Sequence, residues 1–144
     1  MLAMDATRVL VVANRTADSE ELHEHLIARH QRGRISVTLL APAAWEIEDP
    51  RGGRVSALRR LRSAKARLLA SGIDVSCVLG DPDPMTAFEQ EWKRGNHDEV
   101  IVSTLGSRVS KWLGIDLPHR IERSIVGTPL THVVATLPTA AESA

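Results

Sequence analysis

Between Ile101 and Arg123 the chain reads IVSTLGSRVSKWLGIDLPHRIER, and most of the chemistry in it lies before Val109. Ser103, Thr104 and Ser107 bring hydroxyls, Gly106 a backbone that a ligand can approach closely, and Arg108 a cation. An apolar strand running through such a loop into a helix can cradle phosphate. The unpaired N–H groups and positive end of the helix then face the loop. Asp116, which opens the helix in this reading, works against the cradle. An N-cap aspartate accepts hydrogen bonds from the first helical N–H groups, the donors a phosphate would use. Its charge beside a polyanion also costs about 1–4 kcal/mol at ~4 Å, for effective dielectrics between those of water and a protein surface.

Other reactive side chains lead to less. His23, His25 and His30 crowd one segment, but a helical zinc pair needs histidines at i and i+4. His23 and His25 lie about 200° apart on a helix, so these histidines read as surface residues. His119 has no nucleophile beside it in sequence and reads as part of a first helical turn. Cys77 is the one cysteine, set in an apolar strand, where burial would blunt its reactivity. No residues are assigned to catalysis or to a metal.

The elements that must position the loop follow from apolar periodicity. RVLVVA (8–13), ISVTLLA (35–41), IDVSCVLG (73–80), DEVIVSTL (98–105) and THVVATL (131–137) are short apolar runs, the mark of strands buried on both faces. Asp18 and Glu21 suggest a capping box opening a first helix with a Leu22, Leu26 and Ile27 stripe, closed at Gly33. A second helix, from Arg51, carries Val55, Leu58, Leu61, Leu68 and Leu69 at helical spacing. Pro84 starts a third, and a fourth spans Leu117 to Ser124. Strands alternating with helices imply one doubly wound α/β domain over residues 4–138, with a parallel sheet, helices on both faces and a frayed tail at 139–144. Ligands in such sheets bind beyond the carboxyl ends of the strands, at the switch in strand order. The loops after strands one, three and four are ANRTADS, GDPDP and STLGSRVSKWLGID.

With those loops in view, the chain resembles the universal stress protein family over nearly its whole length. Five strands, four helices, Val78-Leu79-Gly80-Asp81-Pro82 after strand three and a Gly-Ser loop after strand four carry the resemblance. It implies strand order 3-2-1-4-5. Some members bind ATP and others do not, and many dimerise through the last strand. The ATP signature G-2x-G-9x-G-[S/T] falls on Ser103, Gly106, Asp116 and Leu117, so only its second glycine is kept. The family's adenine-holding aspartate falls on Asn14, with Thr16 nearby, and an amide still hydrogen-bonds a base. The ribose-side G-x-P is intact at Gly80, Asp81 and Pro82. A nucleotide site carried over from the family would comprise Asn14, Thr16, Gly80, Asp81, Ser103, Thr104, Gly106, Ser107 and Arg108. Trp112 and Leu113, bulky in the ATP-binding relatives too, would anchor the loop.

Composition bounds these readings. The chain has 144 residues, 18 basic and 18 acidic, so no global charge draws it to nucleic acid or membrane. Aromatic residues make up 3%, too few for base-stacking platforms. The helix from Arg51 to Arg67 is basic, with no acid between Asp49 and Asp74, and reads as a solvated face. No apolar run reaches membrane-spanning length, and the expected setting is the cytoplasm. The expectation is a regulatory domain, homodimeric through its last strand, binding an adenine nucleotide such as ATP with Mg²⁺. The alternative is a dimeric adaptor that works through protein contacts without a nucleotide. Least favoured is an ATPase or phosphotransfer enzyme, which needs Asp81 to hold a metal and a positioned base.

Overall fold

The computed structural model describes residues 6–43, 52–106 and 115–136, the side chains of 52 and 53 excepted. Within them the chain runs β1 (Thr7–Val12), α1 (Glu20–Arg32), β2 (Ile35–Pro42), α2 (Gly52–Ala70), β3 (Asp74–Gly80), α3 (Pro84–Arg94), β4 (Glu99–Leu105), α4 (Leu117–Ser124) and β5 (Leu130–Ala135). The five strands form one sheet in the order β3-β2-β1-β4-β5, every pairing parallel. This is the expected doubly wound α/β fold. No helix among the described residues is long and apolar enough to cross a membrane.

Strand residues alternate between two cores. Val9, Val11, Val37, Leu39 and Ile101 face one side, against Leu22 and Leu26 of α1 and Leu61 and Leu68 of α2. Leu10, Val12, Leu40, Val100 and Val102 face the other, against Phe88 of α3 and Leu117 and Ile121 of α4. Each fully buried Leu, Ile or Phe contributes about 1.5–3 kcal/mol of hydrophobic stabilisation.

Three local readings need correction. Ser19, not Asp18, caps α1, its hydroxyl accepting from the Leu22 N–H at 3.2 Å. Glu21 does not close a capping box; its carboxylate accepts from the Thr136 hydroxyl at 2.8 Å and the Thr136 N–H at 3.2 Å, tying α1 to the end of β5. On α2 the buried face is Ala57, Leu61, Ala64 and Leu68, while Val55, Leu58 and Leu69 are exposed. The two alanines, seven residues apart, leave room for the helix to lie close on the sheet, and that rotates the longer side chains outward.

Two readings hold. Pro84 stands in the first turn of α3, behind Asp83, which caps it by accepting from the Thr86 N–H and hydroxyl at 2.9 and 2.7 Å. Those bonds hold the Asp83 carboxyl below its usual range. Gly33 closes α1, its N–H donating to the His30 carbonyl.

Candidate functional site

The sheet reverses its winding between β1 and β4, so their carboxyl ends border the crevice where open α/β sheets take ligands. Burying a polar group costs free energy unless it is hydrogen-bonded. Five polar or charged residues are buried among those described. Four of them, Asn14, Thr16, Ser103 and Thr104, stand at this switch point, and the fifth is Glu91.

Asn14 follows β1 and has both ends of its amide engaged. Its Nδ2 donates to the Pro42 carbonyl at 2.7 Å, tying β1 to the end of β2. Its Oδ1 accepts from an Arg60 guanidinium nitrogen at 2.6 Å. Two residues on, Thr16 Oγ1 and Ser103 Oγ lie 2.7 Å apart, 2% and 1% exposed, joining the β1–α1 loop to β4 across the crevice. The loop's own turns, Ala17 N–H to Asn14 carbonyl and Ser19 N–H to Thr16 carbonyl, fix Thr16 for that contact.

Arg60 and Arg67, seven residues apart on α2, act as a pair on this loop. Arg67 donates to the Asp18 carbonyl at 3.1 Å and pairs with Glu20. This inner side of the basic helix therefore clamps the β1–α1 loop and is not a solvated face. Neither arginine was among the residues expected at the site. Their spacing was visible in the sequence, but only the packed fold shows what lies beneath them.

Ser103 and Thr104 point to opposite faces, as neighbours on a strand must. Thr104 Oγ1 lies 2.6 Å from His132 Nε2 of β5, on the α3/α4 side. Burial holds the His132 pKa below its usual value, and the nearby His119 charge adds to the effect. Gly80 and Asp81 stand two strands from β1, at the end of β3, where they line an open cleft of about 270 Å³ with Val78, Ala87, Glu91 and Arg94. Asp81 Oδ1 accepts from the Asp83 N–H at 2.9 Å. At Gly106 a Cβ would meet nothing within 4 Å. Ser107, Arg108, Trp112, Leu113 and the tail from 139 lie outside the described residues. The structure thus joins Thr16 to Ser103, ties Asn14 to the end of β2 and to α2, sets Thr104 on the opposite face of the sheet, and places Gly80 and Asp81 at the end of β3.

Asp116 occupies the N-cap position of α4, but its side chain caps nothing. It adopts the left-handed conformation, φ 57° and ψ 43°, which carries its carboxylate to His119 Nδ1 at 2.8 Å. The expectation that this carboxylate takes up the helix's first N–H groups is therefore wrong. Cys77 is half-buried, not a core thiol; its Sγ lies 3.6 Å from the Leu61 carbonyl and burial raises its pKa, as expected for an unreactive cysteine. His30 Nδ1 accepts from the Ile35 N–H at 3.2 Å, so this histidine closes the α1–β2 turn. Among the described residues no group of three or more His, Cys, Asp or Glu could hold a metal ion.

An open, all-parallel sheet in the order β3-β2-β1-β4-β5 places the chain in the class of doubly wound α/β domains. Within that class the chain has the fold of universal stress proteins. It is similar to the universal stress protein of Archaeoglobus fulgidus, with a TM-score of 0.59 and 12% identity over 90% of this chain and 95% of that one. It is also similar to a universal stress protein in complex with cAMP (TM-score 0.61, 16% identity, 90% and 98% covered). A third match is the Archaeoglobus fulgidus protein in complex with dAMP (TM-score 0.56, 11% identity, 90% and 98% covered). No family model and no curated protein matches the chain.

Proposed function

We propose that this chain binds an adenine mononucleotide at the carboxyl ends of β1 and β4 and works through binding rather than turnover. The observation that carries the reading is the set of buried polar residues at the switch point, Asn14 and the Thr16–Ser103 pair. Two structures of like fold, in complex with cAMP and dAMP, support the choice of ligand class. Asn14 holds its amide orientation through Pro42, which fixes Oδ1 as the acceptor that Arg60 now occupies. That oxygen suits the exocyclic amine of adenine, which would replace the Arg60 guanidinium now bonded there.

One phosphate suits the start of α4 better than three. Pro118 lacks an N–H, Leu117 is packed in the core in place of a signature hydroxyl, and Asp116 adds a negative charge. Thermal unfolding with AMP, cAMP, GMP, and ATP with and without Mg²⁺ tests the reading. Ligand at a hundred times its Kd adds about 2.7 kcal/mol, a rise of roughly 5–10 °C for a chain of this size. The adenine mononucleotides are expected to give that rise and GMP none; flat curves with all of them contradict the proposal.

The same reading includes a homodimer through the outer edge of β5, which among the described residues pairs only with β4 and leaves Val134 51% exposed. Sedimentation of the wild type as a dimer, and of Val134→Glu as a folded monomer, is the expected pair of results. A monomeric wild type contradicts the dimer.

A further inference from the structure

α2 carries a second surface, turned away from the Arg60 and Arg67 clamp. Val55, Leu58, Arg62, Lys65 and Leu69 are spaced 3, 4, 3 and 4 residues apart, which places them within about 80° of arc along one side of the helix. All five are exposed, and the apolar members are 54% (Val55), 38% (Leu58) and 49% (Leu69) accessible. That spacing is the a/d pattern of a helix that receives another helix. The seam is apolar at both ends and cationic in the middle. No acidic residue lies on α2, and among the described residues Arg62 and Lys65 have no ion pair.

We infer that this seam docks a partner helix about two heptads long, with two acidic residues at its centre and apolar residues on either side. Charge complementarity selects that occupant. A second copy of this chain does not fit, since an antiparallel pairing centred on Arg62 sets Arg62 against Arg62 and Lys65 against Leu58. An anionic membrane does not fit either, because a helix lying in a bilayer surface keeps its apolar residues on a continuous face. Here the charges interrupt that face. Duplex nucleic acid would gain nothing from Val55, Leu58 and Leu69.

The test uses the full-length chain and a stapled synthetic helix, two heptads long, with Glu facing Arg62 and Lys65 and Leu at the remaining seam positions. Anisotropy of the labelled helix should show saturable binding. The double variant Arg62→Glu/Lys65→Glu should weaken it about tenfold or more and in turn capture a probe with Lys in place of Glu. Both substitutions are at exposed positions, and an unchanged circular dichroism spectrum confirms the fold. No saturable binding overturns the inference, as does binding indifferent to the charge reversal. Preference for phosphatidylserine vesicles or duplex DNA over the Glu helix overturns it too.

Discussion

The guanidinium of Arg60, from the middle of α2, donates to Oδ1 of Asn14 at the end of β1 across 2.6 Å. Under the proposed function, an adenine amine would take the place of this cationic donor, so the ligand would have to displace the arginine.

Arg60→Ala should then tighten adenine mononucleotide binding. A hydrogen bond to a charged group is worth about 1.5–3 kcal/mol, so affinity should rise on the order of tenfold even after some loosening of the loop. Asn14→Ala should remove binding and cost about 1–3 kcal/mol of stability, because the buried Pro42 carbonyl loses its donor. Calorimetric titration and urea unfolding of the two variants give both numbers.

The Thr16–Ser103 hydroxyl pair makes a sharper stability prediction. Thr16→Val leaves Ser103 Oγ buried without a partner and should cost about 1–3 kcal/mol. The double variant Thr16→Val/Ser103→Ala removes both polar atoms and should be more stable than Thr16→Val alone. A coupling energy near zero in the double-mutant cycle would show that the 2.7 Å contact contributes nothing.

Gly80 is fixed by close packing. A Cβ there would lie 2.8 Å from Leu40 Cδ1 and 2.9 Å from Ala87 Cβ, at the crossing of β3 with α3. Gly80→Ala should destabilise the chain by about 1–3 kcal/mol through overpacking. Pairing it with Ala87→Gly should recover much of the loss, measured as the midpoint of urea unfolding.

Stability should fall as pH drops below about 6.5. Burial, with His119 nearby, lowers the His132 pKa; burial also lowers those of His23 and His25, helped by Arg67 and Arg32 respectively. In this window the unfolded chain binds more protons than the folded one. The stabilisation is complete above the unfolded value and is lost as pH falls through the depressed folded values. Glu21 and Asp83, both held low by hydrogen bonds, add a second loss at more acid pH. His132→Asn should flatten the Tm profile between about pH 5 and 7.

The alternation of strands and helices could be read from the sequence because the strands are short apolar runs and each helix sits between two of them, whereas the strand order came only from the resemblance to universal stress proteins. Caps and helix faces were harder. Asp18 and Ser19 are both good capping residues, and the choice falls to Ser19, whose hydroxyl accepts from the Leu22 N–H. On α2, periodicity cannot show that Ala57 and Ala64 are buried while Leu58 and Leu69 are not. Asn14, Thr16 and Ser103 were expected from the resemblance, and the structure buries all three at the carboxyl ends of β1 and β4. Arg60 was not expected, since its contact joins residues 46 positions apart.

The most direct test of the account is a calorimetric titration of the nucleotide-stripped chain with AMP, run on the wild type and on Arg60→Ala. Saturable one-site binding by the wild type, tightened about tenfold in the variant, is the predicted result. No heat of binding in either protein, with both folded, would contradict the central claim that Asn14 and the Thr16–Ser103 pair receive an adenine nucleotide.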